Sequence, residues 1–263
     1  MVVPPAPLVA GVSVESVLAL ARRAGDAILD VYAGGDAVDV SVKSDDSPLT
    51  EADRRAHAVI DQGLRALTPD VPILSEEGRD IAHEERRGWT SFWLVDPLDG
   101  TREFVARNGE FTVNIALIDG GRPVFGVILV PVSGVLYWGG VGAGAWRDDA
   151  EGNREPIATR PATGGGEVVV CSRSHRSPEL EQYLASIPVA ESLAVGSALK
   201  FCVVAEGRAS LYPRFGPTME WDTGAGQALV EAAGGRVVLA TDRDQPLRYN
   251  KSCLRNPDFL VLA

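Results

Sequence analysis

The chain has 263 residues, 45% hydrophobic and 23% charged, an ordinary globular balance that is long enough to bury a sizeable core unaided. Its 25 basic and 36 acidic residues leave a formal net charge of −11, the wrong sign for holding nucleic acid polymers or an anionic membrane surface by charge. Cys171, Cys202 and Cys253 are isolated, odd in number and without C-x-x-C spacing, which implies neither a disulfide framework nor a zinc knuckle and reads as reduced thiols.

Met1 to Gly11 contains Pro4, Pro5 and Pro7 but no basic stretch ahead of an apolar core, so it makes a poor signal peptide. No apolar run approaches the ~18 residues of a membrane span. The expectation is a soluble, cytoplasmic protein. Val14, Val17, Leu18, Ala21, Ala24, Ile28 and Val31 recur at three- and four-residue steps, predicting an amphipathic helix that stops at Gly34-Gly35. Ala37 to Lys43 alternates like a strand, and Ser44 to Pro48 is loop chemistry. A second helix begins near Thr50 and turns Ala52, Ala56, Val59, Ile60 and Leu64 inward. Val71 to Leu74 and Ser91 to Val95 read as short buried strands, the second ending at Asp96.

Phe111 to Ile118 and Val124 to Val130 form a hairpin about Asp119-Gly120-Gly121, followed by strands at Val135 to Trp138 and Gly144 to Trp146. Thr163-Gly164-Gly165-Gly166 reads as a joint between an amino-terminal α+β half, residues 1–162, and a carboxy-terminal α/β half, residues 163–263. Beyond it come strands at Glu167 to Cys171, Ala209 to Tyr212, Val237 to Leu239 and Phe259 to Leu262. Helices fall at Pro178 to Ser186, Ala198 to Glu206 and Asp222 to Ala233. Strands and helices come in blocks, which favours a layered α+β fold with mostly antiparallel sheets.

The densest chemical signal is Asp96-Pro97-Leu98-Asp99-Gly100-Thr101 at a strand end. As local structure it is a good turn. As chemistry, two carboxylates and the Leu98 carbonyl converge as hard oxygen ligands suited to Mg²⁺, and Gly100 and Thr101 offer N–H groups to a phosphate. Glu76-Glu77 follows the strand ending at Leu74, so it is either a solvated pair or a strand-end carboxylate aimed at the same cleft. Thr50-x-x-Asp53 is a capping-box variant, and Asp222 after Trp221 has an N-cap reading beside a functional one. Gly140-x-Gly142-x-Gly144 lies between strands with no helix after it, so it is a turn and not a dinucleotide fingerprint.

Taken together, Lys43…Pro48-x-Thr50-x-x-Asp53, Glu76-Glu77, Asp96 to Thr101 and Trp221-Asp222-x-Gly224-x-Gly226 closely resemble the inositol monophosphatase superfamily. The order and spacing match from about residue 15 to the end of the chain. Asp99 to Phe104, Asn108 to Asn114, Ser172 to His175, Gly196 to Cys202 and Leu211 to Gly216 are similar to its bacterial 3′(2′),5′-bisphosphate nucleotidase branch.

The resemblance implies a layered αβαβα sandwich of the inositol monophosphatase/fructose-1,6-bisphosphatase type and Mg²⁺-dependent hydrolysis of phosphate monoesters. It makes Glu76, Asp96, the Leu98 carbonyl, Asp99 and Asp222 the ligands of two or three Mg²⁺ ions, most of them in the first half of the chain. Asp53 and Thr101 orient and deprotonate the attacking water, with Glu77, counted as catalytic beside them, just beyond the ligands. Gly100 and Thr101 hold the scissile phosphate; His175, Ser197, Lys200 and Arg214 contact the nucleotide and its second phosphate.

The expected substrate is 3′-phosphoadenosine 5′-phosphate, hydrolysed to AMP, together with its 5′-phosphosulfate analogue, an activity linked to sulfate assimilation. Inhibition by Li⁺ and a homodimer follow from the same likeness. Inositol monophosphate or fructose-1,6-bisphosphate is the alternative substrate class, and Lys200 and Arg214 discriminate because a second phosphate needs fixed cations. A non-catalytic binding module would have lost a ligand such as Asp99, and none is lost.

Overall fold

The computed structural model describes residues 12–34, 41–42, 48–173 and 177–263. The segment up to Gly11, all of the expected strand from Ala37 to Lys43 except residues 41–42, the loop 44–47 and His175 lie outside the described residues. In chain order the helices are α1 (Val14–Ala33), α2 (Glu51–Leu67), α3 (His83–Arg86), α4 (Thr101–Val105), α5 (Pro178–Ala185), α6 (Leu199–Ala205) and α7 (Gly224–Ala232). The strands are β1 (Ser41–Val42), β2 (Pro48–Leu49), β3 (Ile73–Ser75), β4 (Ser91–Asp99), β5 (Thr112–Asp119), β6 (Arg122–Leu129), β7 (Leu136–Gly140) and β8 (Gly144–Asp148). They continue with β9 (Arg154–Pro156), β10 (Glu167–Ser172), β11 (Val189–Val195), β12 (Leu211–Arg214), β13 (Arg236–Leu239), β14 (Asp242–Pro246) and β15 (Phe259–Leu262).

Beside the β1–β2 pair there are two larger sheets. The first runs β3-β4-β5-β6-β7-β8-β9 and is antiparallel except at β3–β4. The second runs β11-β10-β12-β15-β13-β14, parallel on the β11-β10-β12 side and antiparallel on the other. Three apolar clusters fix the stacking order. Val17, Ala21 and Ile28 of α1 and Ala56, Ile60 and Leu64 of α2 pack on Trp93, Val95, Ile115 and Val127, one face of the first sheet. The opposite face, with Phe92, Leu94 and Ile118, packs through Phe201, Val204, Leu229 and Val230 of α6 and α7 onto Val170, Val237 and Val261 of the second sheet. Its outer face, Val169, Cys171, Leu211 and Leu260, is covered by Leu180 of α5.

The result is the αβαβα sandwich, and the period-2 alternation of each strand is what feeds two different interfaces. Fully burying an aromatic such as Phe92 or Trp93, each 0% exposed, stabilises the stack by about 2–3 kcal/mol per side chain. Among the described residues no helix is long and apolar enough to cross a membrane.

Two expectations are corrected. β4 does not stop at Asp96 but runs on to Asp99. The stretch Val189–Val195 is a strand, β11, where none was expected: it is a mostly exposed edge whose polar residues hide the alternation.

Candidate active site

In a regular strand, residues three apart face opposite sides. Asp96 and Asp99 share a face because β4 carries a bulge: Asp96 is paired with Asn114 and Asp99 with Thr112, so Pro97 and Leu98 together stand against Val113. The Leu98 N–H turns back to Asp96 Oδ1 at 3.1 Å. The chain then leaves the sheet at Gly100 with φ +90°, where a Cβ would lie 3.2 Å from Ser197 Cβ and 3.3 Å from the Glu110 carbonyl oxygen. Only glycine suits both the backbone and the approach.

Glu76 follows β3, and its N–H donates to the Val95 carbonyl at 3.0 Å, which brings its carboxylate beside Asp96. Asp222 comes from the turn before α7 and accepts from the Met219 N–H at 2.8 Å. It does not cap the helix: Thr223 holds that position, without a side-chain capping bond, so the carboxylate of Asp222 is directed elsewhere. α7 comes this close because Gly226 faces the Phe201 ring of α6, where a Cβ would lie 2.3 Å from Cγ.

Ligand oxygens of Glu76, Asp96 and Asp222 all lie within 4.8 Å of one another. Burial, then the charges of Glu76, Asp99 and Asp222, push the Asp96 carboxyl well above the usual range. Burial and the charges of Asp99 and Glu76 do the same to Asp222, against the Met219 N–H and Arg214. Asp99 stands outside the trio on the cavity wall; burial raises it to about 6 although Lys200 and the Ala198 N–H pull it down. Crowded hard oxygen donors that strain to keep protons in the absence of a cation are the donor set a divalent ion such as Mg²⁺ takes, so the residues fit the group.

Asp53, 1% exposed, accepts from the Thr50 N–H at 2.8 Å and the Thr50 hydroxyl at 2.6 Å through Oδ2, while Oδ1 accepts from Thr101 Oγ1 at 3.4 Å. The Thr101 hydroxyl also lies 3.5 Å from the Leu98 carbonyl. Beside these groups opens a cavity of about 260 Å³ lined by Asp99, Thr101, Ser197, Lys200, Arg214 and Asp222.

Ser197 is held at φ +43°, an uncommon conformation for a side-chain-bearing residue, beside Gly100. Lys200 Nζ donates to the Ser197 carbonyl, and burial lowers its pKa to about 8 against the opposing pull of Asp99. Arg214 gives Nη2 to the Pro217 carbonyl at 2.8 Å, and its buried Nε has no partner among the described residues.

Most of the expected residues therefore meet at one place. Glu77 is half-buried next to Glu76 but outside the carboxylate trio. Tyr212 and Thr218, which also line the cavity, were not foreseen; nothing in their local sequence distinguishes them from sheet and loop residues.

The chain matches the model of the inositol monophosphatase family over residues 13–260. It belongs to that family. It is 51% identical over 248 residues to the 3′(2′),5′-bisphosphate nucleotidase CysQ of Escherichia coli K12, covering 94% of this chain and 98% of that protein. The CysQ of Salmonella typhimurium is 54% identical over 223 residues, 85% of this chain and 89% of that one. Among solved structures, CysQ from Bacteroides thetaiotaomicron superposes with a TM-score of 0.81 at 43% identity, covering 95% and 96% of the two chains. SuhB of Bartonella henselae shares the fold, with a TM-score of 0.75 at 24% identity over 94% and 92%.

Proposed function

We propose that the chain is a Mg²⁺-dependent 3′(2′),5′-bisphosphate nucleotidase. It removes the 3′-phosphate of 3′-phosphoadenosine 5′-phosphate to leave AMP, and acts on the 5′-phosphosulfate analogue to leave adenosine 5′-phosphosulfate. Such an activity clears a by-product of sulfate assimilation in the cytoplasm, and inhibition by Li⁺ is expected with it. The observation that carries the reading is the charge arrangement of one cavity, whose wall holds Asp99 and Asp222, the latter clustered with Glu76 and Asp96, together with Lys200 and Arg214. A monophosphate needs only the acidic side and its cations; a bisphosphate uses both.

Glu76, Asp96, Asp99, Asp222 and the Leu98 carbonyl would hold the ions. Bound there, Mg²⁺ supplies positive charge to the phosphoryl oxygens and the leaving oxygen, and lowers the pKa of water. The chain's own residues provide the alignment and the proton path. The Gly100 and Thr101 N–H groups orient the scissile phosphate. Thr101 Oγ1 accepts the proton of the attacking water as its own proton passes to Asp53 Oδ1, with Glu77 beside the ligands. Asp53 receives it without moving, because Thr50 already fixes its other oxygen. Water oxygen joins phosphorus as the 3′-ester bond breaks, the released 3′-oxygen takes a proton from solvent water, and Asp53 returns its own to solvent. Lys200, Arg214 and Ser197 hold the remainder of the nucleotide, so the reacting phosphate is presented in one orientation.

Phosphate release from 3′-phosphoadenosine 5′-phosphate, inositol-1-phosphate and fructose-1,6-bisphosphate, compared as kcat/KM with and without Mg²⁺, tests the reading. A large preference for the nucleotide that disappears without Mg²⁺ is expected. Comparable or better turnover of the sugar phosphates makes the protein a broader phosphatase, and no release from any of them returns it to a binding module.

A further inference from the structure

Asn114 lies in the middle of β5, 1% exposed, and among the described residues neither its amide nitrogen nor its amide oxygen has a hydrogen-bond partner. A buried amide left unpaired is destabilising, and native interiors rarely tolerate one without a reason. The surroundings supply the reason. Asn114 is directly opposite Asp96 in the antiparallel β4–β5 pair, so the two side chains share a face of the sheet. Two residues back on the same face, Thr112 Oγ1 lies 3.5 Å from Ser197 Oγ, at the cavity wall. Two residues on, Ala116 and its partner Leu94 lie under the start of α7, where a Cβ on Gly224 would meet them at 3.2 and 2.9 Å.

Asn114 is therefore enclosed on three sides. Asp96 is beside it, the Ser197 turn is towards one end, and the turn carrying Asp222 is towards the other.

We infer that Asn114 is a positioning residue of the metal site, its amide hydrogen-bonding to water in the outer sphere of the ion held by Asp96 and Asp222. The inference rests on the divalent-cation reading given above. The amide suits the task because it offers two donors and an acceptor without adding charge to a site crowded with carboxylates. Groups of this kind orient a metal's ligands, and their loss weakens metal affinity roughly 10- to 100-fold. A leucine, of the same γ-branched shape, would instead make the ion-free protein more comfortable, because it removes both unpaired polar atoms.

Two measurements on Asn114→Leu and Asn114→Ser read these opposite effects: Mg²⁺ affinity by calorimetry, and Tm in EDTA. The expected result is at least 10-fold weaker Mg²⁺ binding by Asn114→Leu, with its Tm in EDTA equal to or above that of the wild type. Asn114→Ser, which offers one hydroxyl in place of the amide, should fall between the wild type and Asn114→Leu in affinity. Wild-type affinity in both folded variants overturns the inference while leaving the metal site standing. A Tm in EDTA several degrees lower for both variants also overturns it, because the amide then has a structural partner. Absence of Mg²⁺ binding by the wild type removes the metal reading itself, a different outcome from either.

Discussion

Asp53 and Thr101 are joined by one hydrogen bond of 3.4 Å, and the same carboxylate caps α2 through its other oxygen. One side chain thus anchors a helix and receives a hydroxyl from the candidate phosphate turn, which makes the capping-box and catalytic readings of Asp53 compatible. The two roles separate by mutation. Thr101→Val should lower kcat roughly 10²- to 10⁴-fold, the range for losing a positioned proton acceptor, with Tm unchanged. Asp53→Ala should lose activity to a similar degree and also about 1 kcal/mol of stability, through the lost cap. Steady-state kinetics beside urea denaturation of both variants checks this; equal stability loss in the two would show that Thr101 is structural.

Asp99→Asn should abolish turnover and leave the fold intact. The carboxylate stands among the charges of Glu76, Glu103 and Lys200, and burial already disfavours its charged form. Neutralising it therefore relieves the ion-free protein, and Tm in EDTA should stay level or rise. Full activity of the variant at saturating Mg²⁺ would remove Asp99 from the metal site.

The sequence carries the layers of the fold openly and the details of the site unevenly. α1 and the β5–β6 hairpin are legible because an amphipathic period and a Gly-Gly turn are local properties. β11 is not, since its partner β10 supplies the pairing that its own exposed residues do not announce. The acidic positions are legible as a joint pattern, yet their convergence depends on the β4 bulge, which no single residue signals. Asp222 shows the ambiguity most plainly: aspartate before a helix reads as a cap, and only the start of α7 at Gly224 shows otherwise. Asn114 looks from sequence like one polar residue in a strand. Its importance arises from what β4 and α7 place around it.

Stability of the ion-free protein should fall as pH rises from about 4 to 6. Asp99 titrates near 6 in the folded state, against an ordinary 3.8. Within that window the folded protein keeps a proton the unfolded chain has released, so the stability this proton confers is present at low pH and lost as pH rises through 6. The shift is worth on the order of 3 kcal/mol, several degrees of Tm at this chain length. Asp96 and Asp222, also raised, extend the loss to higher pH. A bound divalent cation favours the ionised forms, so the Mg²⁺-induced rise in Tm should grow between about pH 5 and 8. Scanning calorimetry with EDTA or Mg²⁺ across that range reads both trends; a Mg²⁺ effect that shrinks with pH contradicts the assignment of these carboxylates as ligands.

Arg214 should decide between substrates with one phosphate and those with two. Its Nη2 is committed to the Pro217 carbonyl, while its buried Nε is unpaired among the described residues at the edge of the cavity that Lys200 also lines. Such a guanidinium is pre-oriented, and a phosphate that reaches it forms charge-assisted bonds at little entropic cost. Arg214→Ala should lower kcat/KM for 3′-phosphoadenosine 5′-phosphate roughly 10- to 100-fold, mainly through KM, the expected size for one charged hydrogen-bond partner. Turnover of 3′-AMP, which keeps the scissile phosphate but lacks the second, should change less than about threefold, since the lost bond was never made. Equal losses on both substrates would place Arg214 at the scissile phosphate instead.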